Sequence, residues 1–122
     1  MVIVGNKLVV SNKATQVLHV YSIAGNFLRR IRCLQWTQKV VISMVACGED
    51  SVILCDTTSQ RVMRVNVNTG YVLWNTTKIV APLSVTLCGG KVIVMTSGPK
   101  PEARFLDPNR GSSVYSKCHM VY

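Results

Sequence analysis

DSVILCDTTSQRVMRVNVNTGYVLWNT, residues Asp50 to Thr76, contains three apolar runs: Val52–Cys55, Val62–Val67 and Tyr71–Trp74. Val, Ile, Leu and aromatic side chains dominate them, the residues that fit a pleated, half-buried surface. Asp56-Thr57-Thr58-Ser59-Gln60 separates the first two runs and Asn68-Thr69-Gly70 the last two. Such polar clusters are turn formers, and short runs between them spell a β-meander. No long stretch sustains apolar positions at a spacing of 3.6, so helices are nearly absent from the expected fold.

The flanking segments repeat this unit. Ser43-Met44-Val45-Ala46-Cys47-Gly48 recurs 41 positions later as Ser84-Val85-Thr86-Leu87-Cys88-Gly89. Asn66-Val67-Asn68-Thr69-Gly70 recurs at the same interval as Asp107-Pro108-Asn109-Arg110-Gly111. Toward the N-terminus, Met44 to Gly48 maps onto Met1 to Gly5 (a shift of 43), Ser51–Asp56 onto Lys7–Asn12 (44) and Gly70 onto Gly25 (45). A period of about 40–45 residues with four short strands per unit is the mark of a propeller blade. The reading is an all-β fold, a β-propeller fragment of about three four-stranded antiparallel blades, in one partial domain over 1–122. The blades fall at about 1–32, 40–76 and 83–115, the last ending with a strand at Ser112–Tyr115; Cys118–Tyr122 has no assigned partner. The first unit starts within an inner strand, and three blades fall short of the usual ring of roughly four to eight. The expectation is a piece of a larger propeller, completed by further blades of a parent chain or by self-association.

Composition narrows the chemistry. The chain has 122 residues, 48% of them hydrophobic and 16% charged, which supports a packed core rather than disorder. Apolar runs are too short for a helical membrane span, and no signal-peptide core precedes Lys7, so the expectation is a cytoplasmic protein with no membrane partner. Five cysteines at 33, 47, 55, 88 and 118 lack CxxC spacing and read as reduced thiols, most of them within strands. Fourteen Lys and Arg against five acids give a net charge of +9, which favours an acidic partner, nucleic acid above all.

No catalytic constellation emerges. His19 and His119 stand 100 positions apart, Cys118-His119 has no spaced partners for zinc, and the acids are too sparse for a carboxylate pair. Gly89-Gly90-Lys91 is a hairpin turn rather than a phosphate loop. The sequence therefore offers no catalytic, metal or cofactor site. The binding candidates are basic. Lys13, Lys39, Lys78 and Lys100, with Arg61 at a loop end, fall in second-to-third-strand loops and inter-blade crossings. Those segments emerge on one propeller face, where a basic collar can grip a phosphate backbone. Trp36, in a crossing, offers a stacking surface. Arg29, Arg30 and Arg32 form a separate patch on the rim.

Two family resemblances follow. Pro82-Leu83-Ser84-Val85-Thr86-Leu87 with Gly90-Lys91-Val92-Ile93-Val94-Met95-Thr96 resembles the entrance and first hairpin of an NHL repeat. Asp56, then Ser59-Gln60-Arg61-Val62-Met63-Arg64-Val65, is similar to that repeat's third-strand approach; the position of Asp56 is Asn12 in blade one and Thr96 in blade three. This resemblance implies a propeller of the tripartite-motif ubiquitin ligase type. There the propeller is a non-catalytic recognition module for a protein target or RNA, and another domain transfers ubiquitin. Thr69-Gly70-Tyr71-Val72-Leu73-Trp74 resembles the docking segment of quinoprotein propellers, which implies a Trp74 largely buried between blades. The alternative it carries is a fragment of a quinoprotein-like or lactonase-like propeller enzyme.

Overall fold

The computed structural model describes residues 1–12, 17–32, 42–56, 60–76, 79, 81–97, 99–112 and 118–119. Twelve strands form three antiparallel four-stranded sheets. The first sheet, blade one, orders β1 (Val2–Val4), β2 (Lys7–Asn12), β3 (Val17–Ser22) and β4 (Phe27–Arg32) side by side. Blade two does the same with β5 (Ile42–Cys47), β6 (Ser51–Asp56), β7 (Arg61–Asn66) and β8 (Val72–Thr76). Blade three contains β9 (Pro82–Cys88), β10 (Lys91–Thr96), β11 (Glu102–Leu106) and β12 (Cys118–His119). Each is the meander that alternating apolar runs and tight polar turns dictate.

Cys118 pairs with Ala103 and His119 with Glu102, so Cys118–His119, which the sequence reading left without a partner, belongs to the fourth strand of blade three; of the expected strand Ser112–Tyr115, residues 113–115 lie outside the described residues. The carrier signal was weak because that segment lacks the β-branched run that marks the other strands.

The blades stack face to face. Strand β6 makes this plain: Val52 and Leu54 enter an apolar cluster with Val4, Val9, Leu18, Val20 and Ile31 of blade one. Ile53 and Cys55, pointing the other way, enter a second cluster with Val85, Val92, Val94 and Leu106 of blade three. Successive residues of a strand face opposite sides, so a middle blade needs a continuous apolar run, and all five residues from Ser51 to Cys55 are buried. Inner strands β1, β5 and β9 lie in sequence along one edge of the stack. The β5–β9 contact includes a bond from Val85 N to Ser43 Oγ of 3.2 Å.

Candidate recognition face

The meander puts two kinds of connection at opposite ends of the strands. At the first end are the tight turns, and they hold the blades together. Asn66 Oδ1 accepts bonds from the Asn68 and Thr69 amides at 2.8 and 3.1 Å, and Gly70 N donates to Asn66 O at 2.8 Å. Asp107 repeats this role in blade three, accepting from Asn109 N at 2.8 Å, with Gly111 N donating to Asp107 O at 2.7 Å. Short polar side chains make such turns by bonding the backbone just ahead of them. Blade one's version is one residue tighter, with Gly25 N donating to Ser22 O at 2.9 Å, which accounts for the change of shift from 44 to 45.

Each turn docks on the outer strand of the preceding blade. Ile31 packs 3.8 Å from where a Cβ on Gly70 would stand, and Arg29 Nη1 donates to Asn68 O. In the next joint Trp74 lies across Gly111, and its Nε1 donates to Pro108 O at 2.7 Å. Arg64 Nη1 donates to the same carbonyl at 2.7 Å, while Nη2 lies 3.9 Å from Asp50 Oδ1. The sequence reading placed Trp74 largely buried. It sits between blades, partly exposed because β8 is the outer strand of its sheet. Burial pushes the Cys47 thiol up from its ordinary value, partly offset by the Arg64 charge and reinforced by Asp50. Arg29 is thus a joint residue as well as a rim charge. Arg64 and Asp50 were not singled out from the sequence; the signal available was an Arg inside an otherwise apolar third strand.

The other end carries the longer connections, and it is the candidate recognition face. Arg61 opens β7 there, half-buried, in register with Asp56. Lys100 is exposed in the β10–β11 loop between Pro99 and Pro101. Two of the six proposed residues are thus brought to one end of the stack; Lys13, Trp36, Lys39 and Lys78 lie outside the described residues. The described non-glycine residues with positive φ, Gln60 at 58° and Ala81 at 52°, are at this end too. Left-handed backbone at such residues costs energy and persists only where surroundings impose it. The surroundings are visible at Ala81: its carbonyl accepts from Ser97 N at 2.9 Å, tying the crossing to the β10–β11 loop. Thr96 closes that loop, its Oγ1 accepting from Glu102 N at 3.0 Å. No group of three or more His, Cys, Asp or Glu placed to hold a metal occurs among the described residues.

Comparison with solved structures agrees with this architecture. The chain superimposes on a europium-containing methanol dehydrogenase with a TM-score of 0.74 at 14% identity, covering 95% of this chain and 23% of that one. It matches BamB from Moraxella catarrhalis with a TM-score of 0.67 at 16% identity, over 95% of this chain and 34% of that one. It matches the Neurospora crassa Pan2 WD40 domain with a TM-score of 0.71 at 14% identity, over 96% and 34%. At these identities the matches show the propeller fold alone, and the chain spans about a third or less of each neighbour. No protein-family model matches the chain, and no curated protein matches it in sequence.

Proposed function

We propose that this chain is a non-catalytic recognition module that binds RNA across the loop end of its blades. The observation that carries the reading is the placement of Arg61 and Lys100 at one end of the stacked sheets in a chain of net charge +9. In the sequence, Lys13, Lys39 and Lys78 fall in the equivalent connections of the meander, outside the described residues. A phosphate backbone is the ligand that a row of separated cations fits best, since each contact releases counterions. The NHL resemblance supports the same use of the surface: in a ligase of the tripartite-motif type, the propeller selects the target and a separate domain performs the chemistry.

Titration of a single-stranded RNA against the chain over a salt series tests this. Each phosphate contact contributes about 0.7 to the slope of log affinity on log salt for a single strand. Lys39→Glu with Lys100→Glu is expected to weaken binding and flatten the slope by about 1.4. Arg30→Glu with Arg32→Glu, on the rim, is the control and is expected to change it less. Equal responses of the two pairs, or no binding at low salt, would remove RNA and leave a protein target as the ligand of this face.

A further inference from the structure

The outer strands of blades one and two are sheet edges of opposite character. Among the described residues β4 pairs only with β3, and β8 only with β7. One row of backbone N–H and C=O groups on each therefore faces outward, a template for a further strand. On β4 that template is guarded: Arg29, Arg30 and Arg32 are exposed along it, and charged side chains on an edge discourage pairing. β8 carries no charge, nor does Tyr71 just before it. Exposure alternates from Tyr71 to Thr76, with Tyr71 at 72%, Leu73 at 50% and Asn75 exposed, against half-buried Val72, Trp74 and Thr76. Blade two is packed on both of its faces, so this exposure is that of a rim and not of an open blade face. Two of the three outward positions are thus an aromatic and an aliphatic on an edge with no guard.

The two edges also adjoin. The turn that feeds β8 docks on β4, where Arg29 Nη1 donates to Asn68 O and Ile31 lies beside Gly70. Arg30 pairs with His19 as Asn75 pairs with Met63, which puts it on the rim as well. The β4 guanidinium groups therefore stand beside the start of the β8 edge. No acid pairs with any of the three among the described residues, where Asp50 pairs with Arg64.

We infer that the β8 edge takes up an extended, acidic segment of a partner protein as a fifth strand of blade two. Strand addition draws its affinity from main-chain bonds and its specificity from alternate side chains. Apolar side chains of the segment lie against Tyr71 and Leu73, as cross-strand neighbours do, and its acids reach the arginines of β4. Charge selects this occupant. A second copy of the chain would bring another net charge of +9 to the same edge, whereas an acidic segment is drawn to it. The inference is independent of the RNA reading, since it uses the outer edge of the sheet and not the loop end.

Titration of the isotope-labelled chain at low salt with a blocked peptide, Glu-Val-Glu-Val-Glu-Val-Glu-Val, tests it. The amide resonances of Val72 to Thr76 are expected to move, and those of Arg61 and Lys100 to stay in place. Methylating every backbone nitrogen of the peptide removes its donors and is expected to weaken binding about tenfold or more. Tyr71→Ser with Leu73→Ser should weaken it about tenfold through lost apolar contact. Arg30→Glu with Arg32→Glu should weaken it and reduce its salt dependence. A peptide with Lys in place of Glu is expected not to bind. The methylated peptide is compared on the unaltered chain, so it decides the matter even where a variant loses its β-sheet circular dichroism. Equal binding of the methylated peptide, resonance changes confined to the loop end, displacement of the peptide by single-stranded RNA, or no binding at low salt overturns the inference. So does a dimer of the chain that Tyr71→Ser with Leu73→Ser abolishes, since β8 would then pair with itself.

Discussion

The two inter-blade joints use one backbone device with different side chains. Between blades one and two, buried Ile31 rests near Gly70 at ordinary contact distance, and an exposed guanidinium, Arg29, bonds the turn carbonyl of Asn68. Between blades two and three, an indole lies so close over Gly111 that a Cβ would come 2.4 Å from its ring. There a single carbonyl, Pro108 O, accepts from both Trp74 and Arg64. Proline also changes the wiring within the blade. Val67 N donates to Asp50 O at 2.8 Å, whereas Pro108, in the same place, has no N–H to give. Blade three is therefore held at this turn more by the neighbouring blade than by its own hairpin. A turn that keeps its shape can accept either a compact aliphatic or a flat aromatic, and the choice sets how tightly the glycine position is constrained.

The glycine series breaks or upholds that contrast most directly. Gly70 and Gly111 both have positive φ, 80° and 72°, so alanine at either position pays about 1–2 kcal/mol for left-handed backbone. At Gly111 the overlap with Trp74 adds about 1–3 kcal/mol of overpacking. Urea melts should therefore show Gly111→Ala losing about 2–5 kcal/mol and Gly70→Ala about 1–2 kcal/mol. Gly25→Ala should behave like Gly70→Ala, because its surroundings in the single chain are open. Equal losses at Gly70 and Gly111 would mean that the indole moves aside freely and the two joints are equivalent.

Side-chain truncation comes next in size. Ile31 is 3% exposed, and Ile31→Ala should cost about 2–4 kcal/mol, as for a buried aliphatic. Trp74 is larger but half-buried, and Trp74→Ala should cost about 2 kcal/mol, below the range for a fully buried aromatic. Trp74→Phe keeps the flat ring and loses the bond to Pro108 O, for about 1 kcal/mol. If Trp74→Phe were as damaging as Trp74→Ala, the hydrogen bond rather than the stacking on Gly111 would be holding the joint.

The blade pattern was legible because burial on a two-sided sheet leaves a periodic trace. Ser51–Asp56 and its counterparts keep their apolar runs whatever the neighbour is, and the turn sequences around Gly25, Gly70 and Gly111 recur at fixed intervals. The joint chemistry left no such trace. Arg29 reads as a solvated rim charge until its carbonyl partner, 39 positions away, is brought beside it. Arg64 is similar: its partners Asp50 and Pro108 come from a different turn and a different blade. The loop end was legible only as connectivity. Arg61 and Lys100 could be assigned to one end from strand order, while the crossing between Ser97 and Ala81 depends on a backbone conformation at Ala81 that no residue preference announces.

The strain at the loop end offers a smaller test, set against the relaxed glycine turns at the opposite end. Gln60 holds a φ of 58° immediately before Arg61. Gln60→Gly removes about 1–2 kcal/mol of left-handed strain and adds about 0.5–1 kcal/mol of backbone entropy loss. A net gain of about 0.5–1 kcal/mol is expected in the same melts. A loss on this substitution would show that the Gln60 side chain contributes more to the loop than its backbone costs.

The smallest effect is expected at Cys47, a thiol in the core of the second joint. Val4 occupies the corresponding place in blade one, in the aliphatic core of the first joint. Cys47 lies in the second joint, and burial raises its thiol above the ordinary 9.0, with Asp50 adding to the rise and Arg64 opposing it. A thiol whose folded value lies above its unfolded one binds more protons folded than unfolded between the two. Its stabilising contribution is thus complete below about pH 9 and is lost as pH rises through the folded value. Cys47→Val makes the second joint resemble the first and removes that dependence. The variant's melting temperature should therefore fall less steeply above pH 9 than the parent's, with little difference between them at pH 7. Arg64→Met should do the reverse: without the guanidinium the thiol is pushed higher still, and stability keeps falling over a wider range of pH above 9. Parallel melting curves for parent and Cys47→Val from pH 7 to 11 would show that the thiol is not desolvated in the joint. Water would then reach the second core in a way that the aliphatic first core does not permit.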